Sequence, residues 1–101
     1  MILGSVPSIN GVPIRLTDER WAHILDDHPE FRATDLELLL DAVGHPNYIL
    51  RGQAGSNIAV LILGRSSYLH VAYREVSRKD GFIITAGIRP AIDKKKIIWR
   101  R

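Results

Sequence analysis

The chain has 101 residues, a hydrophobic content of 46%, a charged content of 25% and a formal net charge of +3, values typical of one soluble globular domain. It contains no cysteine, which excludes disulfides, a thiolate nucleophile and cysteine-based zinc sites. No run approaches the roughly 18 apolar residues of a membrane span, and the first residues lack the pattern of a signal peptide. We therefore expect a complete small cytoplasmic protein without a membrane partner.

Two glycines and two prolines within residues 1–13 predict an N-terminal arm or loop. A single domain is expected over residues 14–101, in which residues 14–16 could form a short strand. Two helices should follow. Thr17 is a good N-cap for the first, which must end near Asp27 because a proline follows two residues later.

The second helix has its own start and stop signals. Thr34 and Glu37 match a capping box, and leucines follow at the spacing of a core-facing helix. Gly44, with a proline two residues beyond it, is expected to end this helix.

From residue 47 the apolar period changes to two, which indicates strands. The predicted strands cover residues 47–51, 58–63, 68–76 and 82–86, with a last short strand around residues 97–99. Helices followed by hairpin-linked strands predict an α+β fold, with two N-terminal helices packed on one face of a four- to five-stranded antiparallel sheet.

Charge divides the chain into two halves. Residues 1–50 hold three Arg and eight Asp or Glu, a net of −5, whereas residues 51–101 hold eleven Lys or Arg and three acids, a net of +8. A basic, strand-rich surface on an acidic helical base suits the binding of a polyanion such as RNA, although uneven surface charge without a function is an equally good interpretation. The candidate RNA-binding residues are Arg89, Lys94, Lys95, Lys96, Arg100 and Arg101.

The sheet face opposite the helices is predicted to present polar side chains. Alternation along residues 68–76 places His70 and Arg74 on one face, and Thr85 and Arg51 could join them from other strands. Histidine exchanges protons near neutral pH and arginine binds phosphate oxygens, which together suit RNA cleavage without a metal. Each residue also has a purely structural interpretation, because strand arginines are usually solvated and threonine favours strands. The four histidines lack metal-site spacing, so neither a metal nor a cofactor is expected.

An ordered set of short motifs resembles a known family. Residues 16–30 match the pattern LTxERWxHIxxxHPE, and YLxV, GFIITA and KKxIW motifs follow at residues 68–71, 81–86 and 95–99. Over residues 14–99 the chain is similar to the phage and bacterial barnase–EndoU–colicin E5/D–RelE-like nucleases. The resemblance implies a RelE/barnase-like α+β domain with metal-independent endoribonuclease activity, often that of a toxin neutralised by a partner protein.

The resemblance also implies site residues. By position these are His28, Glu30, Arg51, Arg74 and Thr85, to which the strand pattern adds His70. The family often has a tyrosine where this chain has Gly87, and this departure would weaken catalysis if that tyrosine takes part.

We therefore predict a metal-independent endoribonuclease of toxin type. The implied partners are RNA, with transfer RNA or ribosome-associated RNA as candidate targets, and an acidic antitoxin or immunity protein; a homodimer is left open. The alternative is a non-catalytic nucleic-acid-binding module, or a decayed nuclease that docks an acidic protein partner.

Overall fold

Seven strands form one sheet in the computed structural model, which describes residues 1–101. The strands are β1 (Ile2–Pro7), β2 (Pro13–Thr17), β3 (Tyr48–Arg51), β4 (Asn57–Gly64), β5 (Ser67–Glu75), β6 (Gly81–Arg89) and β7 (Ile97–Arg100). Their order is β1-β2-β6-β5-β4-β3-β7, with β2 and β6 parallel and every other pair antiparallel. Two helices, α1 (Asp18–Asp27) and α2 (Leu36–Gly44), pack on this sheet. Neither is long and apolar enough to cross a membrane.

The sheet is larger and more mixed than the sequence predicts. The expectation of four to five antiparallel strands behind two N-terminal helices is wrong, because there are seven strands, one pair is parallel, and two strands precede the helices. Most of β1 and β2 was missed since the prolines and glycines of residues 1–13 indicate a loop. Pro7 ends β1 and Pro13 begins β2, positions at which proline is tolerated in a sheet, and Gly11 has a φ of 78° in the turn between them.

Both helices form in the predicted regions, and one of them is capped differently. The capping box expected at Thr34 and Glu37 is not formed. A 3₁₀ turn (Ala33–Asp35) precedes α2 instead, and Oδ2 of Asp35 accepts a hydrogen bond of 2.8 Å from the backbone N–H of Arg32. α2 ends in the predicted place, but Gly44 is its last helical residue and His45 its C-cap, so Gly44 is not the C′ residue that the sequence predicts.

The core lies between the helices and one face of the sheet. It contains 17 buried hydrophobic residues, among which Leu69, Val71 and Tyr73 of β5 have no exposed surface. Leu39 and Val43 of α2 belong to the same cluster. The residues that alternate with them in β5 are half-buried and belong to the opposite face of the sheet, which we call the open face. The cross-strand register then places each paired residue of the other strands on one of these two faces.

Part of the open face is covered by the connection between β6 and β7. These strands point in the same direction with three strands between them, so the connection must cross the sheet. Val60 and Leu50 belong to the open face by register and lie outside the helix-side core, yet they are 0% and 3% exposed. Residues 90–96, which include the half-buried Ile92, therefore cover them.

The junction of β2 with β6 depends on Gly81. A β-carbon at this position would lie 2.5 Å from Cδ1 of Ile14 and 2.6 Å from the backbone oxygen of Arg74, so no side chain fits. Only two residue pairs join the strands. Arg15 of β2 reinforces the junction, because it forms an ion pair with Asp80 and donates a hydrogen bond of 3.3 Å to the carbonyl oxygen of Gly81.

We expect Gly81→Ala to lower the free energy of unfolding by about 1–3 kcal/mol, the usual cost of overpacking a site whose neighbours are backbone and buried atoms. The matched control is Gly64→Ala, because a β-carbon on the exposed Gly64 meets nothing within 4 Å. Urea denaturation of both variants measures the difference. Equal midpoints for the two variants would show that the junction does not need glycine.

Candidate active site

Helix α1 ends beside an unpaired edge of β6. Because β2 pairs with β6 only at Gly81 and Phe82, the remainder of that edge has no neighbouring strand. His28 is the C-cap residue of α1, and the proline after it stops the helix. Two residues later, Oε2 of Glu30 accepts a hydrogen bond of 3.4 Å from the backbone N–H of Ile88 in β6. This bond fixes the end of α1 against the sheet.

His28 and Glu30 form a pair at this edge. Nδ1 of His28 lies 3.4 Å from Oε2 of Glu30, and about a third of each side chain is exposed, 33% and 36% respectively. Hydrogen bonds from its own backbone and from Ile88, together with the charge of His28, lower the pKa of Glu30 against the opposing effect of burial. Glu30 is therefore ionised at neutral pH, and its carboxylate lies within reach of the His28 ring.

His70 approaches the same place from β5. Its Nδ1 lies 3.1 Å from the carbonyl oxygen of Tyr68, and because a carbonyl only accepts hydrogen bonds, Nδ1 carries the proton of the neutral ring. Nε2 then holds the free lone pair. Burial lowers the pKa of His70, and the nearby charge of Arg89 lowers it further, against the hydrogen bond to Tyr68. His70 is thus a neutral base at pH 7.

Gly87 lies between the two imidazoles. It is the cross-strand partner of His70, and Cα atoms of such pairs are about 4.5–5.5 Å apart. A β-carbon on Gly87 would lie 3.5 Å from Cε1 of His28 and 4.0 Å from Oε2 of Glu30. The missing side chain leaves a space, which we call the Gly87 gap, with a proton-exchanging ring on each side.

Two predicted site residues share the open face with His70 but lie farther along it. Thr85 is exposed opposite Ala72, and Arg74 is four residues from His70, about 13 Å along the strand. Arg74 donates a hydrogen bond to the carbonyl oxygen of Ala54 in the β3–β4 turn. Arg74 therefore stabilises that turn and does not join the histidines.

Arg51 lies on the opposite side of the sheet from these residues. It pairs with Asn57, which pairs with Tyr73 of the helix-side core. The expectation that Arg51 joins His70 and Arg74 is wrong, because alternation within one strand does not give its phase relative to the next strand.

A β-bulge changes the faces along β6. Ile83 pairs with Tyr73 in the core, whereas Thr85 pairs with Ala72 on the open face. Simple alternation predicts Ile83 and Thr85 on one face, and the extra residue at the bulge reverses that phase.

Of the six predicted RNA-binding residues, Arg89 lies at the Gly87 gap. It follows Gly87 by two residues and pairs with Tyr68 on the open face. The other five belong to the 3₁₀ turn Lys94–Lys96 and to the end of the chain at β7. Since β7 is three strand positions from His70 in β5, about 14 Å, and four from the edge of β6 where His28 lies, about 19 Å, the cations of β7 do not adjoin the histidines.

From the sequence alone, Gly87 is only a departure from a family pattern, and the space beside it is not predicted. No local signal marks the gap, because it is formed where the end of α1 meets a strand distant in sequence. Across the 101 residues no three His, Asp or Glu side chains are grouped as metal ligands. No protein-family model, curated protein or solved structure matches the chain, so the nuclease resemblance stays a prediction based on its motifs.

We expect NMR titration of the four histidines to give His70 a pKa below its ordinary value of 6.5. Because this folded-state pKa is lower than the unfolded one, the associated stability is fully present above pH 6.5 and is lost as the pH falls toward the folded-state value. His70→Gln should therefore lose less thermal stability than the wild type between pH 7 and pH 5. His23→Gln, at an exposed position of α1, is the control and should behave as the wild type. A His70 pKa of 6.5 or above would contradict the neutral-base assignment.

Proposed function

We propose that this chain is a metal-independent endoribonuclease whose active site is the Gly87 gap. The supporting observation is that the gap separates two histidines in different environments, one half-buried with a lowered pKa and one beside an ionised glutamate. Cleavage of RNA by acid–base catalysis needs one group to take a proton and another to give one. Two imidazoles can fill both roles, with His70 as the base and His28, beside the carboxylate of Glu30, as the acid.

In the proposed reaction, Nε2 of His70 takes the proton of a ribose 2′-OH. The resulting oxygen attacks the adjacent phosphorus, and the bond from phosphorus to the 5′ oxygen breaks. Protonated His28 gives its proton to that leaving oxygen, so the products are a 2′,3′-cyclic phosphate and a 5′-hydroxyl. Arg89 stabilises the negative charge that develops on the phosphate oxygens.

The motif resemblance supports the same activity and favours a toxin-type nuclease acting in the cytoplasm. Transfer RNA and ribosome-associated RNA remain the proposed targets. The strand residues of the open face include His70, Arg74 and Arg89 but no acid, so an acidic antitoxin or immunity protein is the proposed protein partner.

Gly87 supports a second candidate, a decayed nuclease or RNA-binding module without catalysis. A tyrosine often occupies this position in the resembling family. If the hydroxyl of that tyrosine is needed for the reaction, this chain can still bind RNA through its cationic side chains but cannot cleave it.

We expect the purified protein to cleave single-stranded RNA in EDTA and to leave cyclic phosphate ends. His28→Ala and His70→Ala should each reduce the rate by about 10²–10⁴-fold, the usual contribution of a general acid or base. Arg89→Ala should also slow cleavage because phosphate stabilisation is lost. The controls are His23→Ala and His45→Ala, both at exposed positions outside the gap.

A substrate with a 2′-deoxy sugar at the cleaved position should resist the enzyme, because it lacks the attacking group. Intact RNA after incubation with the wild type, or cleavage that survives both His28→Ala and His70→Ala, would contradict the proposal. Intact RNA that is still bound would support the decayed nuclease.

A further inference from the structure

We propose that the substrate of the Gly87 gap is single-stranded RNA and that its bases stack along one rim of the open face. This inference rests on the proposed function and specifies its substrate. We call this surface the tyrosine rim, and it consists of Arg89, Tyr68, Ile62, Tyr48 and Arg100.

The first row of the rim begins at the gap. Arg89 pairs with Tyr68, and Tyr68 pairs with Ile62, so the three side chains are neighbours on the open face. Tyr68 is half-buried, and Ile62 is 45% exposed although it is a large hydrophobic residue. An aromatic ring and an exposed aliphatic side chain therefore adjoin the arginine next to the candidate active site.

The second row adds Tyr48 and Arg100 at the far edge of the sheet, beyond Val60, which residues 90–96 cover. His70 pairs with Val60, Val60 with Tyr48, and Tyr48 with Arg100. Tyr48 is thus two strands from His70, about 10 Å away. The guanidinium carbon of Arg100 lies 6.0 Å from the centroid of the Tyr48 ring, a cation–π arrangement.

These residue types suit unpaired nucleotides. Tyrosine rings and arginine planes stack on exposed bases, whereas the bases of a duplex are already stacked and cannot reach them. Arg89 and Arg100 at the two ends of the rim can bind phosphates, and no Asp or Glu lies among the rim residues. The distance from β6 to β7, about 19 Å, matches the short end of single-stranded binding sites, roughly four nucleotides.

The first test is binding without cleavage. In a His28→Ala background, fluorescence anisotropy would measure the affinity for a labelled oligonucleotide of about eight nucleotides and for its duplex form, at one fixed salt concentration. We expect Tyr48→Ala and Tyr68→Ala each to weaken single-strand binding by roughly tenfold, which is within the range for loss of one base–aromatic stack. Tyr48→Phe and Tyr68→Phe keep the ring and should bind as the parent does, and the duplex should bind more weakly.

The second test uses cleavage with His28 intact. A dinucleotide cleaved at the gap is too short to cover the whole rim, so Tyr48→Ala should reduce cleavage of the longer oligonucleotide by a larger factor than cleavage of the dinucleotide. Circular dichroism of each variant checks folding, and Tyr48→Leu and Tyr68→Leu, which keep apolar bulk but remove the stacking ring, provide the test if an alanine variant unfolds.

The outcomes separate this inference from the proposed function. Equal binding of single strand and duplex, or binding that depends on salt but not on either tyrosine, would overturn the tyrosine rim even if RNA is cleaved. Tyrosine-dependent single-strand binding without any cleavage by the wild type would support the rim and refute the nuclease. If neither alanine variant changes the RNA affinity, the inference is overturned, and contact with a protein partner becomes the explanation for the exposed tyrosines.

Discussion

The close approach of two backbones at Gly81 determines where everything else in this protein lies. A β-carbon there would meet the backbone oxygen of Arg74 in β5 at 2.6 Å and Cδ1 of Ile14 in β2 at 2.5 Å, so glycine is what allows β5 and β2 both to pack closely on this end of β6. Because β2 continues directly into α1, this junction sets the origin and direction of the helix. It also ends early, after two residue pairs, and leaves the edge of β6 unpaired for the helix end to occupy.

The two histidines beside the Gly87 gap differ because their surroundings differ. His28 belongs to a helix end and has a carboxylate 3.4 Å from its ring, whereas His70 belongs to a central strand, is half-buried and gives its Nδ1 proton to a backbone carbonyl. Burial in the sheet is the main reason that the pKa of His70 is lowered, and the charge of Arg89 adds to it.

Local patterns predict local structure well in this chain. The bounds of α1, the end of α2 at Gly44 and the five strands after residue 47 follow from caps, breakers and periodicity. The parallel pairing of β2, the phase of Arg51 and the bulge beside Thr85 do not, because each depends on register between strands. The Gly87 gap is the hardest feature to predict, because His28 and Glu30 follow a helix and no strand pairing places them beside Gly87.

The pairing of Ile14 with Gly81 also constrains the order in which the protein can assemble. Contacts between residues so distant in sequence form slowly, because a long loop must close before they contribute. During synthesis His28 and Glu30 leave the ribosome long before Ile88, the residue that anchors them, has been added. A nascent chain therefore has His28 and Glu30 but no candidate active site until β6 is complete, so any activity must appear only after β6 has been translated.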